Sequence, residues 1–275
     1  MTVFRASSEL AARTLSAFIL SIVTVTALWS SIWGFTILVT LMAAAMCWEW
    51  GRAVRRQDFD AAHAAHILSV TAAIIAVALA SFIALFSALI VGIIAVAAVS
   101  KSQHRILSII GVIYIILPAS ALIWLRGDSV YGIHVVFFII FVVASHDTLA
   151  MVVGKAIGGP RLWPVVSPNK TWAGVVGGLM ASCCAGALFA ILSGYQGLLW
   201  LSGLGCILGL AGLAGDLLES AFKRHHGLRH ASALIPGHGG VLDRLDGVLV
   251  AAGVAALIGG GLDWHAPAQA LMLGP

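Results

Sequence analysis

Between Gly215 and Gly247 the chain reads GDLLESAFKRHHGLRHASALIPGHGGVLDRLDG, and this stretch holds four of the eleven acids, four of the fifteen Lys/Arg and four of the ten histidines. If its first part continues a helix through Arg224, then Asp216, Glu219 or Ser220, and Lys223 recur at spacings of three, four and seven and share one face. A carboxylate, a hydroxyl and an ammonium on one stripe suit a metal-bound phosphate; a pair of helix-end salt bridges is the plain alternative. Asp243 and Asp246 repeat the device at a spacing of three, with Arg244 beside them. Oxygen ligands of this kind suit magnesium, which binds through one or two carboxylates plus substrate phosphates. Between the two acidic ends lies Pro236-Gly237-His238-Gly239-Gly240, whose backbone amides can turn toward an anion.

A second segment, GKAIGGPRLWPVVSPNKTWAGVVGG, offers Ser167, Lys170 and Thr171 ahead of an apolar helix, which reads as a rigid turn and an ordinary helix entry when taken alone. Asp147 lies late in an apolar run, and an acid in a membrane span is costly enough to mark function by default. His226 and His230 have the four-residue spacing of two zinc ligands on a helical face. Gly227 interrupts that segment, and the nearby acids favour a hard ion, so magnesium is preferred to zinc. The four cysteines lie inside apolar runs with no ligand spacing and read as small buried hydrophobes.

These groups need a scaffold, and the composition says what kind. With 61% hydrophobic and 9% charged residues among 275, the chain is far too apolar for a soluble globular domain. It reads as an all-α, polytopic integral membrane protein. Spans are expected at about 14–29, 32–48, 67–81, 83–100, 106–125, 131–153, 173–193, 197–215 and 247–262, about nine in all. The first, preceded by Arg5 and Arg13, superficially resembles a secretory signal but reads better as a retained helix. Threading nine spans from a cytoplasmic N-terminus puts fourteen of the fifteen basic residues inside and only Arg126 outside, which is the positive-inside signature. The tail with Asp263 and His265 then falls outside. Arg52, Arg55 and Arg56 read as topology anchors, and the tryptophans near span ends as an aromatic belt. The expected organisation is one transmembrane domain: residues 1–130 mainly scaffold, 131–262 a catalytic half with cytoplasmic loops at 154–172 and 216–246.

The run from Ser220 to Asp246 resembles the signature of the phosphatidate cytidylyltransferases, also called CDP-diacylglycerol synthases. Ser220, Lys223, Arg224, Pro236, His238, Gly239, Gly240, Asp243, Arg244 and Asp246 stand at the spacings of that pattern. Ser167 to Thr171 with Gly177-Gly178, and Asp147 followed by Gly154-Lys155 and Gly158-Gly159-Pro160, resemble the family's earlier loop. The resemblance implies transfer of a cytidylyl group from CTP to phosphatidic acid with magnesium. It implies Asp216 and Asp243 as leading metal ligands with Asp246 in support, and makes Lys223 part of the same catalytic set. Arg224, Arg244 and Lys170 would neutralise phosphates, while Ser167, Thr171, Ser220, His238, Gly239, Gly240 and Asp147 complete the substrate site. Arg229-His230 stands where the family has Lys-Asp, Ala173 where it has a glutamate, and Met151 where an aromatic is common.

The partners expected are CTP, phosphatidic acid and membrane lipids, with no nucleic acid and with a homodimer possible. The expected location is a bacterial inner membrane with the site at its cytoplasmic face. A family member that uses another lipid phosphate or nucleotide, and a silent protein that binds anionic lipid, are the alternatives.

Overall fold

The computed structural model describes residues 2–127, 131–228, 230–235 and 239–275, with side chains from residue 14 onward. Ten helices and one strand pair follow in order: α1 (Thr2–Trp29), α2 (Ile32–Arg55), α3 (Ala61–Ala78), α4 (Phe82–Val99), α5 (Ser102–Gly127), α6 (Gly132–Ile157), β1 (Arg161–Trp163), β2 (Ser167–Thr171), α7 (Trp172–Ser193), α8 (Leu198–His225), α9 (Leu242–Leu262) and α10 (Pro267–Leu273). Among the described residues, α2 to α9 are eight helices long and apolar enough to cross a membrane, and Thr14–Trp29 of α1 is a shorter apolar segment. Eight of the nine expected spans correspond to α2–α9, and the first falls on the shorter apolar segment of α1. Large side chains such as Ile83 and Leu199, each 85% exposed, cover their outer faces, as an integral membrane protein requires.

The helix boundaries follow from local chemistry. Ser31 caps α2 by accepting the Gly34 N–H at 3.3 Å, so a serine pair separates α1 from α2. Asp60 caps α3 in a reciprocal box with His63: the carboxylate accepts the His63 N–H at 2.9 Å, and the imidazole accepts the Asp60 N–H at 3.0 Å. Ser81 caps α4 after the tight turn that the sequence predicts there. Two elements differ from expectation. The 154–172 loop contains an antiparallel pair, Arg161 opposite Thr171 and Trp163 opposite Ser167, where a simple turn is expected. The tail adds α10, with a proline in its first turn.

Two compact units are distinguishable: Met1–Ile123 with His226–Leu245, and Trp124–His225 with Asp246–Pro275. In the first, Trp50 of α2 donates its indole N–H to the Leu107 carbonyl of α5 at 2.8 Å and stacks on Tyr114 at 5.4 Å. In the second, α6, α7 and α8 pack through small residues. A Cβ on Gly186 would lie 2.1 Å from the Leu201 carbonyl oxygen, and one on Gly205 2.5 Å from that of Ser182, so α7 and α8 meet backbone to backbone.

Candidate active site

The second unit gathers most of the groups the sequence singles out. α8 runs unbroken through Lys223 and Arg224, so the proposed stripe exists. Ser220 Oγ donates to Asp216 Oδ1 at 3.2 Å, and Lys223 Nζ lies 2.6 Å from Glu219 Oε2 one turn away. α9 supplies Asp246, and the approach of the two helices is set by Gly215: a Cβ there would stand 2.4 Å from the Asp246 carbonyl oxygen. Only a glycine lets the backbones come this close, and their approach brings the Asp246 carboxylate to those of α8. One carboxylate oxygen from each of Asp216, Glu219 and Asp246 lies within 4.8 Å of the others. Among the described residues this is the one cluster able to hold a metal ion.

The strand pair completes the site from a third direction. β2 presents Lys170, whose Nζ is 2.6 Å from Asp216 Oδ2. Arg224 Nε donates to the Val166 carbonyl at 3.4 Å and so ties the hairpin to α8. Three carboxylates against two ammonium groups leave one formal negative charge in a site where Glu219 is 2% exposed. Crowded carboxylates repel one another, and a divalent cation relieves that repulsion with the oxygen ligands it prefers. The donor set therefore fits a hard divalent ion.

Other expected residues take different positions. Thr171 is the N-cap of α7, its Oγ1 accepting the Gly174 N–H at 3.1 Å, and is 6% exposed. Asp147 on α6 is half exposed, with His146 Nδ1 3.3 Å away. Asp243 belongs to the first unit: its Oδ2 accepts the N–H groups of Gly240 at 2.9 Å and Ala231 at 3.1 Å, and His230 Nδ1 lies 3.7 Å away. It orders the loop before α9. Gly239 in that loop has φ +91° and pairs with Ile235 in a two-bond bridge. Arg244 is exposed in the first turn of α9, and Ser167 begins β2. His238, Pro236, Gly237 and Arg229 lie outside the described residues. The helical-face premise for zinc at His226 and His230 does not hold, because α8 ends at His225 and Gly227 takes φ +69°.

One buried residue escapes the sequence reading. Glu49 of α2 is fully buried and clasps the same loop: it accepts from Ser232 Oγ at 2.5 Å, the Val241 N–H at 2.9 Å and the Leu242 N–H at 2.7 Å. A carboxylate thus caps the N-terminus of α9 from almost two hundred residues away, where the helix dipole favours negative charge.

Fold and site together define an integral membrane protein with an acidic, lysine-flanked centre of the kind that handles metal-bound phosphates. Comparison with known proteins makes the class specific. The family model described as the cytidylyltransferase family matches residues 11–259. A phosphatidate cytidylyltransferase of Brucella abortus is 34% identical over 254 residues, covering 92% of this chain and 94% of that protein. One of Staphylococcus saprophyticus is 44% identical over 116 residues, 42% of this chain and 45% of that protein. The chain belongs to the cytidylyltransferase family and is a nucleotidyltransferase.

Proposed function

We propose that the protein transfers the cytidylyl group of CTP to phosphatidic acid, forming CDP-diacylglycerol and releasing pyrophosphate. The observation that carries this reading is the Asp216, Glu219, Asp246 cluster with Lys170 and Lys223 against it. In the reaction an oxygen of the lipid phosphate forms a bond to the α-phosphorus of CTP, and the bond from that phosphorus to the bridging oxygen of the β-phosphate breaks. The electron pair leaves with pyrophosphate. Such a transfer asks chiefly for positioning and for neutralisation of charge.

Asp216, Glu219 and Asp246 would hold Mg2+, which when bound supplies a positive charge to phosphate oxygens. Lys170 and Lys223 each lie against a carboxylate and sit on separate elements, so both can turn toward phosphates that enter between β2 and α8. Ser220 orients Asp216 through its hydroxyl. Arg224 and Arg244 add positive charge. Asp243, His238, Gly239 and Gly240 are assigned to nucleotide binding by the family signature that they complete. Ser167 and Asp147 line the approach, and Thr171 fixes the start of α7. We infer from the positive-inside pattern that this centre faces the cytoplasm from a bacterial inner membrane, where CTP is dissolved and phosphatidic acid presents its headgroup.

Purified protein supplied with CTP, phosphatidic acid and Mg2+ is expected to release pyrophosphate in step with new lipid. Asp216→Asn and Asp246→Asn are each expected to lower kcat roughly 100-fold or more, as loss of a charge-stabilising group does. Undiminished turnover in both variants would remove the basis of the reading.

A further inference from the structure

A pocket of about 650 Å³ opens in the first unit, lined among others by Arg52, Arg56, Asp58, His226, His230 and Ser232. It shares no residue with the carboxylate cluster. Two arginines and two histidines face one acid, so the lining attracts anions. Arg52 lies over the Trp48 ring at 5.3 Å and reaches Asp58 at 3.5 Å, but Asp58 is 93% exposed and the pair is loose enough for a better acceptor to displace it.

Arg56 is the more informative residue. It ends α2 in the left-handed conformation, φ 55° and ψ 35°, with its N–H donating to the Arg52 carbonyl. Glycine takes this state most easily, yet the chain places an arginine there. Its guanidinium is exposed and makes no hydrogen bond or ion pair with any described side chain. The pocket also lies at a defined depth. α2 is long and apolar enough to span the membrane, and Arg52, Arg55 and Arg56 close its last turn, so the pocket stands where a spanning helix leaves the hydrocarbon. Lipid phosphates lie at that level, and a guanidinium fork matches two phosphate oxygens.

We propose that this pocket binds the phosphate of an anionic membrane lipid between the end of α2 and the loop after α8. A dissolved phosphate offers the same chemistry; the depth of the pocket favours the lipid. None of the pocket's lining residues is among those assigned to cytidylyl transfer, so it is probed with a lipid that lacks the terminal phosphate this transfer needs.

The test uses the full-length protein in neutral detergent and magnesium-free buffer, titrated with dioctanoyl phosphatidylglycerol, dioctanoyl phosphatidylcholine or pyrophosphate. Wild type is expected to prefer phosphatidylglycerol to phosphatidylcholine. Arg52→Ala with Arg56→Ala is expected to weaken phosphatidylglycerol about tenfold or more, since each lost charge-assisted contact is substantial. Lys101→Ala with Arg105→Ala, which removes basic charge elsewhere, is expected to leave it unchanged. Arg56→Gly keeps the left-handed turn and removes only the side chain, so it provides a folded variant that is expected to lose affinity without loss of thermal stability. Unchanged binding in the arginine variants would overturn the proposal, as would equal weakening by the Lys101 and Arg105 pair. Loss of pyrophosphate binding with phosphatidylglycerol unaffected would overturn it too, by assigning the pocket to a dissolved phosphate.

Discussion

Glu49 shows how one carboxylate can hold a loop that the sequence places far away. Replacing it with leucine leaves the Val241 and Leu242 N–H groups buried without an acceptor, at about 1–3 kcal/mol for each. Glu49→Leu is therefore expected to destabilise the protein by roughly 2–6 kcal/mol, while Glu49→Gln, which retains an acceptor oxygen, costs less; thermal unfolding in detergent measures both. Equal stability of the leucine variant and wild type would contradict the clasp. Asp60 gives a prediction in pH. Burial works to raise its carboxyl, but the His63 N–H and the Arg55 guanidinium, 2.7 Å away, outweigh this and hold it below the usual carboxylate range. Its stabilisation is then complete above the ordinary carboxylate value near about 4 and is lost as pH falls through the lower folded value. Asn caps a helix about as well as Asp, so the stability gap between wild type and Asp60→Asn is expected to be open at pH 7 and to close in acid. A gap that does not change with pH would contradict it. Glu49 was not legible in the sequence because a lone acid at a span end looks like an interfacial charge. Asp216 and Lys223 were legible because helical period alone puts them on one face. Glu219 was visible only as an alternative to Ser220, since periodicity does not say which neighbour meets Asp246.

At the scale of elements, the centre depends on how closely α8 and α9 approach. Gly215→Val places a branched side chain against the Asp246 backbone, where a Cβ alone already stands at 2.4 Å. Overpacking of this kind costs about 1–3 kcal/mol. The variant is expected to remain folded but to lose at least about tenfold in kcat, because misplacement by roughly 1 Å can cost 100-fold. Wild-type turnover would show that the helix approach does not set the carboxylate geometry. The spans themselves were plain from apolar runs, and the extension of α8 to His225 was foreseeable from the stripe it carries. The hairpin was not. Pro160, Pro164 and Pro168 punctuate its segment and read as turns, while the partner that fixes it, Arg224, lies 58 residues from Val166. Pairing of Lys170 with Asp216 follows from that tertiary contact, which no local pattern encodes.

For the whole molecule, threading α1 to α9 across the membrane from a cytoplasmic N-terminus predicts a C-terminal tail on the opposite face. A periplasmically active phosphatase fused after Pro275 is expected to be active, and one inserted at Gly159 inactive; the reverse pattern would invert the orientation. The basic residues carried this expectation because a polytopic chain with few charges cannot hide their asymmetry. The functional account meets its most direct test in the fate of the CTP phosphates. With purified protein, phosphatidic acid and Mg2+, label on the α-phosphorus of CTP is expected to enter the organic-soluble lipid, while label on the γ-phosphorus is recovered as pyrophosphate. Substituting Asp216 and Asp246 by asparagine should abolish both. Label that stays in CTP, or γ-label that appears in lipid, would contradict cytidylyl transfer at this centre.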